Sequence, residues 1–134
     1  MAIEDNIDRA DHFFAGTDVT LVFEIFAVDG VSMQDVSGYA LAFALRKIIT
    51  GVDPFKGQGA LAFPEKTIGS GITVTGVFNS VRATNTQRVN VTIADTDTVS
   101  LKGGTYAHSL KRSDAGLEMV LSFGTVDVLI APTR

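Results

Sequence analysis

The chain has 134 residues, of which 46% are hydrophobic and 19% are charged, and this balance predicts one folded domain rather than a disordered chain. Eleven basic and fifteen acidic side chains give a net charge of −4, which disfavours nucleic acid as the main partner because phosphate binding needs a basic surface. The chain contains no cysteine, so disulfides and thiolate metal sites are excluded.

The sequence carries no sign of a membrane segment or a secretion signal. No apolar run reaches the roughly 18 residues of a membrane-spanning helix. The N-terminal sequence MAIEDNIDRADHFF is acidic and lacks the basic start and apolar centre of a signal peptide. We therefore expect a protein that is made and left in the cytoplasm of the cell that produces it, without a membrane partner.

Residues 1–16 are predicted to form an N-terminal arm, followed by a single domain over residues 17–134. The arm packs on its own domain, as an extended segment or a short helix, or it docks on a neighbouring subunit. Docking would account for Phe13 and Phe14, because exposed aromatic side chains on a free tail would otherwise be unexplained. Both interpretations stay open at this point.

The domain begins with two alternating segments. Residues 19–28 alternate as a strand and end at Asp29-Gly30, the strongest turn dipeptide of the chain. Residues 39–47 form a second strand with unequal faces. Large side chains lie on one face and small ones on the other: Tyr39, Leu41, Phe43 and Leu45 against Ala40, Ala42 and Ala44. The large face is predicted to fill the core, whereas the alanine face would let the N-terminal arm or a partner subunit approach closely.

Short strands separated by turns fill the middle of the domain. Strands are predicted at residues 60–63, 72–75 and 88–93. A capped helical turn near residues 96–101 follows the last of them. The pair Gly103-Gly104 ends this turn, because glycine adopts a positive φ without strain.

The C-terminal part alternates three more times. The predicted strands are residues 105–112, 117–123 and 125–130, with a break or bulge at Gly124 between the last two. The whole domain thus has seven to eight strands and no convincing long helix. Such a pattern predicts an all-β protein, arranged as an antiparallel sandwich or barrel.

Three stretches in this order look familiar together: DVSGYALAFALRK, ADTDTVSLKGGTYAHSLKR and LEMVLSFGTVDVLIAP. Over about residues 17–131 their order resembles the immunoglobulin-like (Ig-like) domain of tailed-bacteriophage virion proteins, such as the N-terminal domain of baseplate upper proteins and related head and tail accessory proteins. Gly104-Thr105-Tyr106 also resembles the tyrosine corner, in which a Tyr at the start of a late strand anchors the preceding turn. His108 stands where antibody domains have a cysteine.

The resemblance implies an antiparallel Ig-like β-sandwich of seven to eight strands with one short helical turn near residues 96–101. It also implies a non-enzymatic structural or accessory protein of a phage particle: a head decoration protein, a fibre base, or a tail, neck or baseplate subunit. Such a protein would be made in the host cytoplasm and reside in the virion, as a homo-oligomer in contact with other capsid or tail proteins. The alternative is a β-sandwich module that binds carbohydrate or the host surface, which would need an exposed aromatic platform.

We expect the contacts of such a protein to use the arm, the sheet edges and the alanine face. The interface candidates are Phe13, Phe14, Ala40, Ala42, Ala44 and His108. The mechanism would be burial of apolar area, typically about 800 Å² per partner, helped by strand addition at an open sheet edge.

No catalytic, cofactor or metal site is predicted. His12 and His108 are the two histidines and have no local metal-ligand spacing, and His108 is expected in the core or at a subunit contact. Asp95 and Asp97 could hold calcium but lack the glycine and distal glutamate of an EF-hand loop, so capping of the helical turn is favoured. A third hypothesis, a small β-barrel enzyme that uses Asp95, Asp97 and His108, ranks last.

Overall fold

A computed structural model of the chain describes residues 12–49, 51, 53–54 and 58–130. The described residues form eight strands, which are β1 (His12–Phe14), β2 (Val19–Phe23), β3 (Leu41–Lys47), β4 (Lys66–Ile68), β5 (Gly71–Thr75), β6 (Arg88–Ile93), β7 (Gly104–Arg112) and β8 (Met119–Leu129). A 3-10 turn spans Arg82–Thr84, and one α-helix, α1, spans Asp95–Thr98. The prediction of a mostly β protein with one short helical turn is confirmed.

Hydrogen bonds join the eight described strands into one sheet in the order β1-β8-β7-β3-β4-β5-β6-β2. The sheet is mixed and nearly closed into a barrel. β1 runs parallel to β8 and β4 runs parallel to β5, whereas the other neighbouring pairs are antiparallel. The prediction of a wholly antiparallel arrangement is therefore wrong for these two pairs.

β4 explains why the strands form one continuous series. It pairs with β3 on one side and with β5 on the other, so it links the half of the sheet that holds β7 and β8 to the half that holds β6 and β2. Between β4 and β5 the chain makes one tight turn, in which Gly69 and Gly71 have φ angles of 82° and 107°. A strand that changes partners through such a turn forms a corner between two parts of a sheet. The sequence did not reveal β4, because three residues leave no alternation to detect.

The core lies inside the curved sheet and is built from the alternating residues of the longer strands. The large face predicted for β3 is confirmed, since Leu41, Phe43 and Leu45 are each at most 1% exposed. Other fully buried members of the same cluster are Phe23, Ile72, Val89, Val91, Ile93 and Leu110. Because a slip of one residue would expose every one of these side chains, the alternation fixes which face of each strand turns inward.

The predicted helical turn is present as α1, and two carboxylates cap its first backbone N–H groups. Asp97 accepts through Oδ2 from the Ala94 N–H at 2.9 Å, and Asp18 accepts through Oδ1 from the Asp95 N–H at 2.7 Å. Both carboxylates lie at the N-terminal end of the helix, where the peptide dipoles favour negative charge. One capping carboxylate, Asp97, therefore lies in the predicted helical segment, whereas the other, Asp18, lies in the distant link between β1 and β2.

The strand predicted at residues 60–63 is absent. Leu61 makes an isolated bridge to Arg46, and the Ala62 N–H donates to the Leu45 carbonyl at 2.8 Å. The segment touches the edge of β3 without pairing along it, and the following Pro64 has no N–H with which to extend a ladder.

The break predicted at Gly124 is also absent, because β8 runs without interruption from Met119 to Leu129. The irregularity lies earlier in this strand, where its register against β7 shifts between Leu110 and Lys111. A bulge at that place accommodates one extra residue in β8. The glycine at position 124 therefore needs an explanation other than a break in the strand.

The sheet begins inside the segment predicted as an arm. β1 pairs with the end of β8, and Ala15, which is 1% exposed, donates its N–H to the Leu129 carbonyl at 2.9 Å. Residues 12–16 are thus part of the folded domain, whereas the rest of the predicted arm, residues 1–11, lies outside the described residues.

Candidate functional site: the His108 core and the loop end

His108 lies in the middle of the core. Its side chain is 1% exposed, and its ring centroid is 6.1 Å from those of both Phe43 and Phe23, stacked at 20° on the first and edge-on at 60° to the second. Burial lowers the pKa of His108 to about 4, because an apolar interior disfavours the charged imidazolium. Of the two placements predicted for this residue, the core and a subunit contact, the structure gives the core.

Gly124 makes room for this imidazole. It pairs with His108 across the β7–β8 ladder, and a Cβ atom at position 124 would lie 2.9 Å from Nε2 and 3.4 Å from Cε1 of the ring. The ring is packed against two phenyl groups, so it has little freedom to move away. Packing, rather than a chain break, therefore explains this glycine.

Tyr106 anchors the turn before β7, as its resemblance to a tyrosine corner implies. Its hydroxyl donates to the Lys102 carbonyl at 2.9 Å. Burial raises the pKa of Tyr106, so the hydroxyl stays protonated and able to donate. Lys47 of β3 places its Nζ 5.0 Å from the centre of the tyrosine ring and donates to the Gly103 carbonyl at 3.3 Å. The turn is thus fixed from two sides.

Asp97 is committed to holding α1 in place. Its Oδ2 accepts from Lys66 Nζ at 2.7 Å and from the Ala94 N–H at 2.9 Å. Burial alone would raise the pKa of Asp97, but the hydrogen bonds and the charge of Lys66 together lower it below its ordinary value. Asp95 is exposed, and among the described residues no group of three or more His, Asp or Glu side chains could hold a metal ion. Asp97 thus has the capping role favoured for the acidic pair, whereas Asp95 contributes its backbone N–H, which donates to Asp18 Oδ1.

The remaining interface candidates differ in how much surface they offer. Phe14 is 39% exposed and Ala40 is half-buried, whereas Ala42 and Ala44 are 4% and 3% exposed. The side chain of Phe13 lies outside the described part of the structure. Phe14 and Ala40 therefore retain accessible surface, and their role in subunit contacts stays a prediction.

Three connections between strands meet at one end of the sheet, which we call the loop end. It comprises residues 24–40 between β2 and β3, residues 76–87 between β5 and β6, and residues 113–118 between β7 and β8. Antiparallel pairing places the ends of β2, β5 and β6 side by side, and likewise those of β3, β7 and β8. The sequence indicated three separate turn regions and gave no sign that they meet.

The central segment of the loop end, residues 24–40, is hydrogen-bonded to both of the others. The Val36 N–H donates to Oε1 of the buried Gln87 at 3.1 Å. On the other side, the Ser113 N–H donates to the Ala40 carbonyl at 2.7 Å. The three connections therefore form one hydrogen-bonded unit.

Polar side chains also close the individual loops. Asp29 accepts through Oδ1 from the N–H groups of Val31 and Ser32, both at 2.8 Å. In the second loop, Asn79 accepts through Oδ1 from the Val81 N–H at 2.8 Å. Such side-chain turns hold the backbone in a defined conformation at the surface.

Several charged side chains at the loop end are paired with one another. Glu24 Oε1 lies 3.3 Å from Arg82 Nε and 3.8 Å from the nearest guanidinium nitrogen of Arg88. Arg112 donates from Nε to Asp114 Oδ2 at 2.7 Å. Pairs this close to solvent add little stability, but they reduce the net charge that this end presents to a partner.

Five large aliphatic side chains project from the loop end into solvent. The exposed fractions are 82% for Val28, 73% for Val31, 74% for Val77, 57% for Val81 and 55% for Leu117. Single exposed apolar residues are ordinary, but these belong to neighbouring loops that are hydrogen-bonded together. Sequence reasoning passed over them, although valines within the turn-rich stretches VDGVS and GVFNSV were an available signal.

No described helix is both long and apolar enough to cross a membrane. No protein-family model and no curated protein sequence matches the chain.

Proposed function

We propose that this chain is a non-enzymatic structural or accessory protein of a tailed-bacteriophage particle, built on an Ig-like β domain and working through protein–protein contacts. Its partners are other capsid or tail proteins and further copies of itself. A head decoration protein, a fibre base and a tail, neck or baseplate subunit all fit this role. The proposal rests on the resemblance of the three ordered sequence stretches, and three features of the structure support it.

The strand order supports the Ig-like part of the proposal. Ig domains arrange strands A, B, E and D in one sheet and G, F and C in the other, and variable-type domains add C′ to the second sheet. In this chain β2-β6-β5 follow the order B-E-D, and β8-β7-β3-β4 follow the order G-F-C-C′. β1 departs from the constant-type order because it pairs with β8 instead of β2.

The centre of the core is the structural feature that supports the proposal most directly. In antibody domains a Trp on strand C packs against the disulfide that joins strands B and F. The corresponding strands here bring together Phe43, Phe23 and His108, whose ring centroids are all 6.1 Å apart. Two residues before His108, the hydroxyl of Tyr106 donates to the Lys102 carbonyl, which is the bond expected of a tyrosine corner.

The surface favours contacts with proteins over contacts with sugars. Among the described side chains the exposed aromatic rings are those of Phe14 and Phe123, whereas carbohydrate recognition in the alternative hypothesis needs a platform of several rings. Most of the exposed large hydrophobic side chains are aliphatic instead. Aliphatic surface gains from burial against another protein, so the binding-module alternative ranks lower.

The test is whether the chain is part of the particle. Particles purified from cells that carry the gene would be probed with an antibody against the chain, and its position would be located by immunoelectron microscopy. We expect a constant amount of chain per particle and labelling at one part of the head or tail. An abundant host cytoplasmic protein serves as the control for contamination and should be absent from the purified particles. If the chain is also absent from these particles, the proposal is contradicted.

A further inference from the structure

We propose that the outer face of β3, β7 and β8 binds residues 1–11 of the same chain, which we call the acidic segment, and that this contact covers apolar side chains of the face. The inference goes beyond the proposed function, because it holds whether or not the chain belongs to a phage particle. Of the two placements of the N-terminal arm that the sequence leaves open, it selects the one on the arm's own domain.

The alternate residues of three neighbouring strands form this surface, which we call the basic face. Phe43 and Leu110 lie in the core, so the residues beside them along β3 and β7 point outward. Register continues the face across the strands, since Ala44 pairs with Ser109 and Ser109 pairs with Phe123. The members on which the proposal depends are Ala44, Arg46, Ser109, Lys111, Val120 and Phe123.

Charge favours an acidic occupant of the basic face. The strands β3, β7 and β8 together contain four cationic residues and one acid, which are Arg46, Lys47, Lys111, Arg112 and Asp127. Arg112 is paired with Asp114, whereas neither Arg46 nor Lys111 forms an ion pair with a carboxylate of the described residues. A second basic face packed directly on the first would bring like charges together, so the same surface of another copy does not suit.

The acidic segment supplies the opposite charge. Its sequence, MAIEDNIDRAD, contains four acidic side chains and one arginine, so its side chains carry a net charge of −3. The whole chain carries −4, and most of this negative charge therefore lies in the acidic segment. Electrostatic attraction draws such a segment towards the cationic strands.

Exposed apolar side chains give the contact a second driving force. Val120 and Phe123 of the basic face are 43% and 48% exposed. Leu61, which forms a bridge at the edge of β3, is 39% exposed. The acidic segment contains Ile3 and Ile7, and contact between these groups would remove apolar area from water on both sides.

β1 attaches the acidic segment next to the basic face. His12 pairs with Asp127, so the segment joins the sheet one strand spacing, about 4.8 Å, from β8. β3 lies three strand spacings from β1, about 14 Å, and eleven residues span about 16 Å as a helix or about 36 Å when extended. A site this close to the attachment point meets the segment at an effective concentration on the order of millimolar. The segment of the same chain is therefore favoured over that of a second copy.

Paramagnetic relaxation enhancement in the full chain tests the inference. The chain contains no cysteine, so Asn6→Cys introduces a single site to which a nitroxide spin label attaches. We expect the label to broaden the amide signals of Ala44 and Ser109 on the basic face far more than those of Thr73 and Thr75 in β5, in the other half of the sheet. Chemical reduction of the nitroxide provides the reference without broadening.

Charge variants separate docking from mere proximity. Lys111→Glu should remove most of the broadening of the basic face. Lys102→Glu is the matched control, because it makes the same charge change at an exposed position outside β3, β7 and β8 and should leave the broadening unchanged. Asp5→Asn combined with Asp8→Asn should act like Lys111→Glu while leaving the sheet untouched. Urea unfolding at the midpoint of the parent chain would show that loss of docking is not loss of folding.

A mixed sample distinguishes the same chain from a second copy. One chain carries the spin label, and a second, isotope-labelled chain without it is observed. Broadening of this second chain would place the acidic segment on a neighbouring copy and overturn the inference. A basic face that is not broadened in the full chain, or broadening that survives both sets of charge substitutions, would overturn it as well. None of these results depends on finding the chain in phage particles, so the two proposals fail separately.

Discussion

The imidazole of His108 lies stacked on the ring of Phe43, with 6.1 Å between the ring centroids and 20° between the planes. The contact joins β7 to β3 at the centre of the molecule and requires a neutral imidazole, because a buried charge there has no solvent around it. The stability of the core should consequently depend on pH.

Stability should fall as the pH is lowered from 6.5 towards 4. The pKa of His108 is about 4 in the folded chain against 6.5 for an ordinary histidine, so the unfolded chain binds more protons within that window. The contribution is complete above pH 6.5 and decreases by up to about 3 kcal/mol on acidification. Urea unfolding at several pH values would measure it.

The control for the pH effect is His108→Leu, which removes the titrating group from the core. This variant should lose the dependence of the free energy of unfolding on pH between pH 6.5 and pH 4. The carboxylates of Asp35 and Asp97 have lowered pKa values, so their own loss of stability occurs below pH 3.8 and stays separate. An unchanged slope in His108→Leu would contradict the assignment.

Gly124→Ala should destabilise the fold by about 1–3 kcal/mol, the usual cost of overpacking. The new Cβ would lie 2.9 Å from His108 Nε2, in a core where the ring has little room to move. Chemical denaturation would measure the change. Gly103→Ala is the control, because its Cβ would meet Ile130 and the Val128 carbonyl at 3.4 Å and its φ lies outside the left-handed region. Equal losses in both variants would refute the role given to Gly124.

Tyr106→Phe should cost about 1 kcal/mol, since it removes the hydrogen bond to the Lys102 carbonyl without changing the packing of the ring. Tyr39→Phe is the matched control. The hydroxyl of Tyr39 accepts from the flexible side chain of Gln34, which can turn to water instead, so the loss should be smaller. Thermal unfolding of the two variants side by side decides whether the first hydroxyl is the structural one.

Asp97→Ala should lower the free energy of unfolding by about 1 kcal/mol, because it removes the cap on the Ala94 N–H and leaves Lys66 without its carboxylate. Asp95→Ala, two residues away at an exposed position, should cost less. The two variants should also retain any binding activity of the protein. A loss of function without a loss of stability in Asp97→Ala would revive the calcium or enzyme hypotheses.

Two truncations should behave differently. Removal of residues 1–11 leaves β1 intact, whereas removal of residues 1–16 deletes the pairing of β1 with β8 and the bond from the Ala15 N–H to the Leu129 carbonyl. Each lost hydrogen bond should cost about 0.5–1.5 kcal/mol. Light scattering of the chain without residues 1–11 tests whether the arm docks on a neighbour, since an oligomer with fewer subunits than that of the full chain would support docking. Equal stability of the two truncations would contradict the place of β1 in the sheet.

The sequence was informative where structure depends on neighbours along the chain. Alternation identified the inward face of β3, with Leu41, Phe43 and Leu45, because the side-chain period of a strand is local. The resemblance of Gly104-Thr105-Tyr106 to a tyrosine corner likewise implied the contact of Tyr106 with the preceding turn.

The sequence was uninformative where structure depends on distant pairing. The parallel contact of β1 with β8 joins segments at opposite ends of the described chain, and no local pattern encodes it. Gly124 suggested a chain break, since its true neighbour, the ring of His108, lies on another strand. The exposed valines of the loop end became a group only when the strand order brought three loops together.

The pairing of β1 with β8 also determines when, during translation, the sheet can be completed. A ribosome releases the chain from its N-terminal end, so His12 emerges long before its partner Asp127 has been made. The contact must then close a loop of nearly the whole described chain, which is a slow kind of step. During translation the segment that carries Phe14 therefore waits without its native partner, and chaperones or a neighbouring nascent copy can reach it before the sheet is complete.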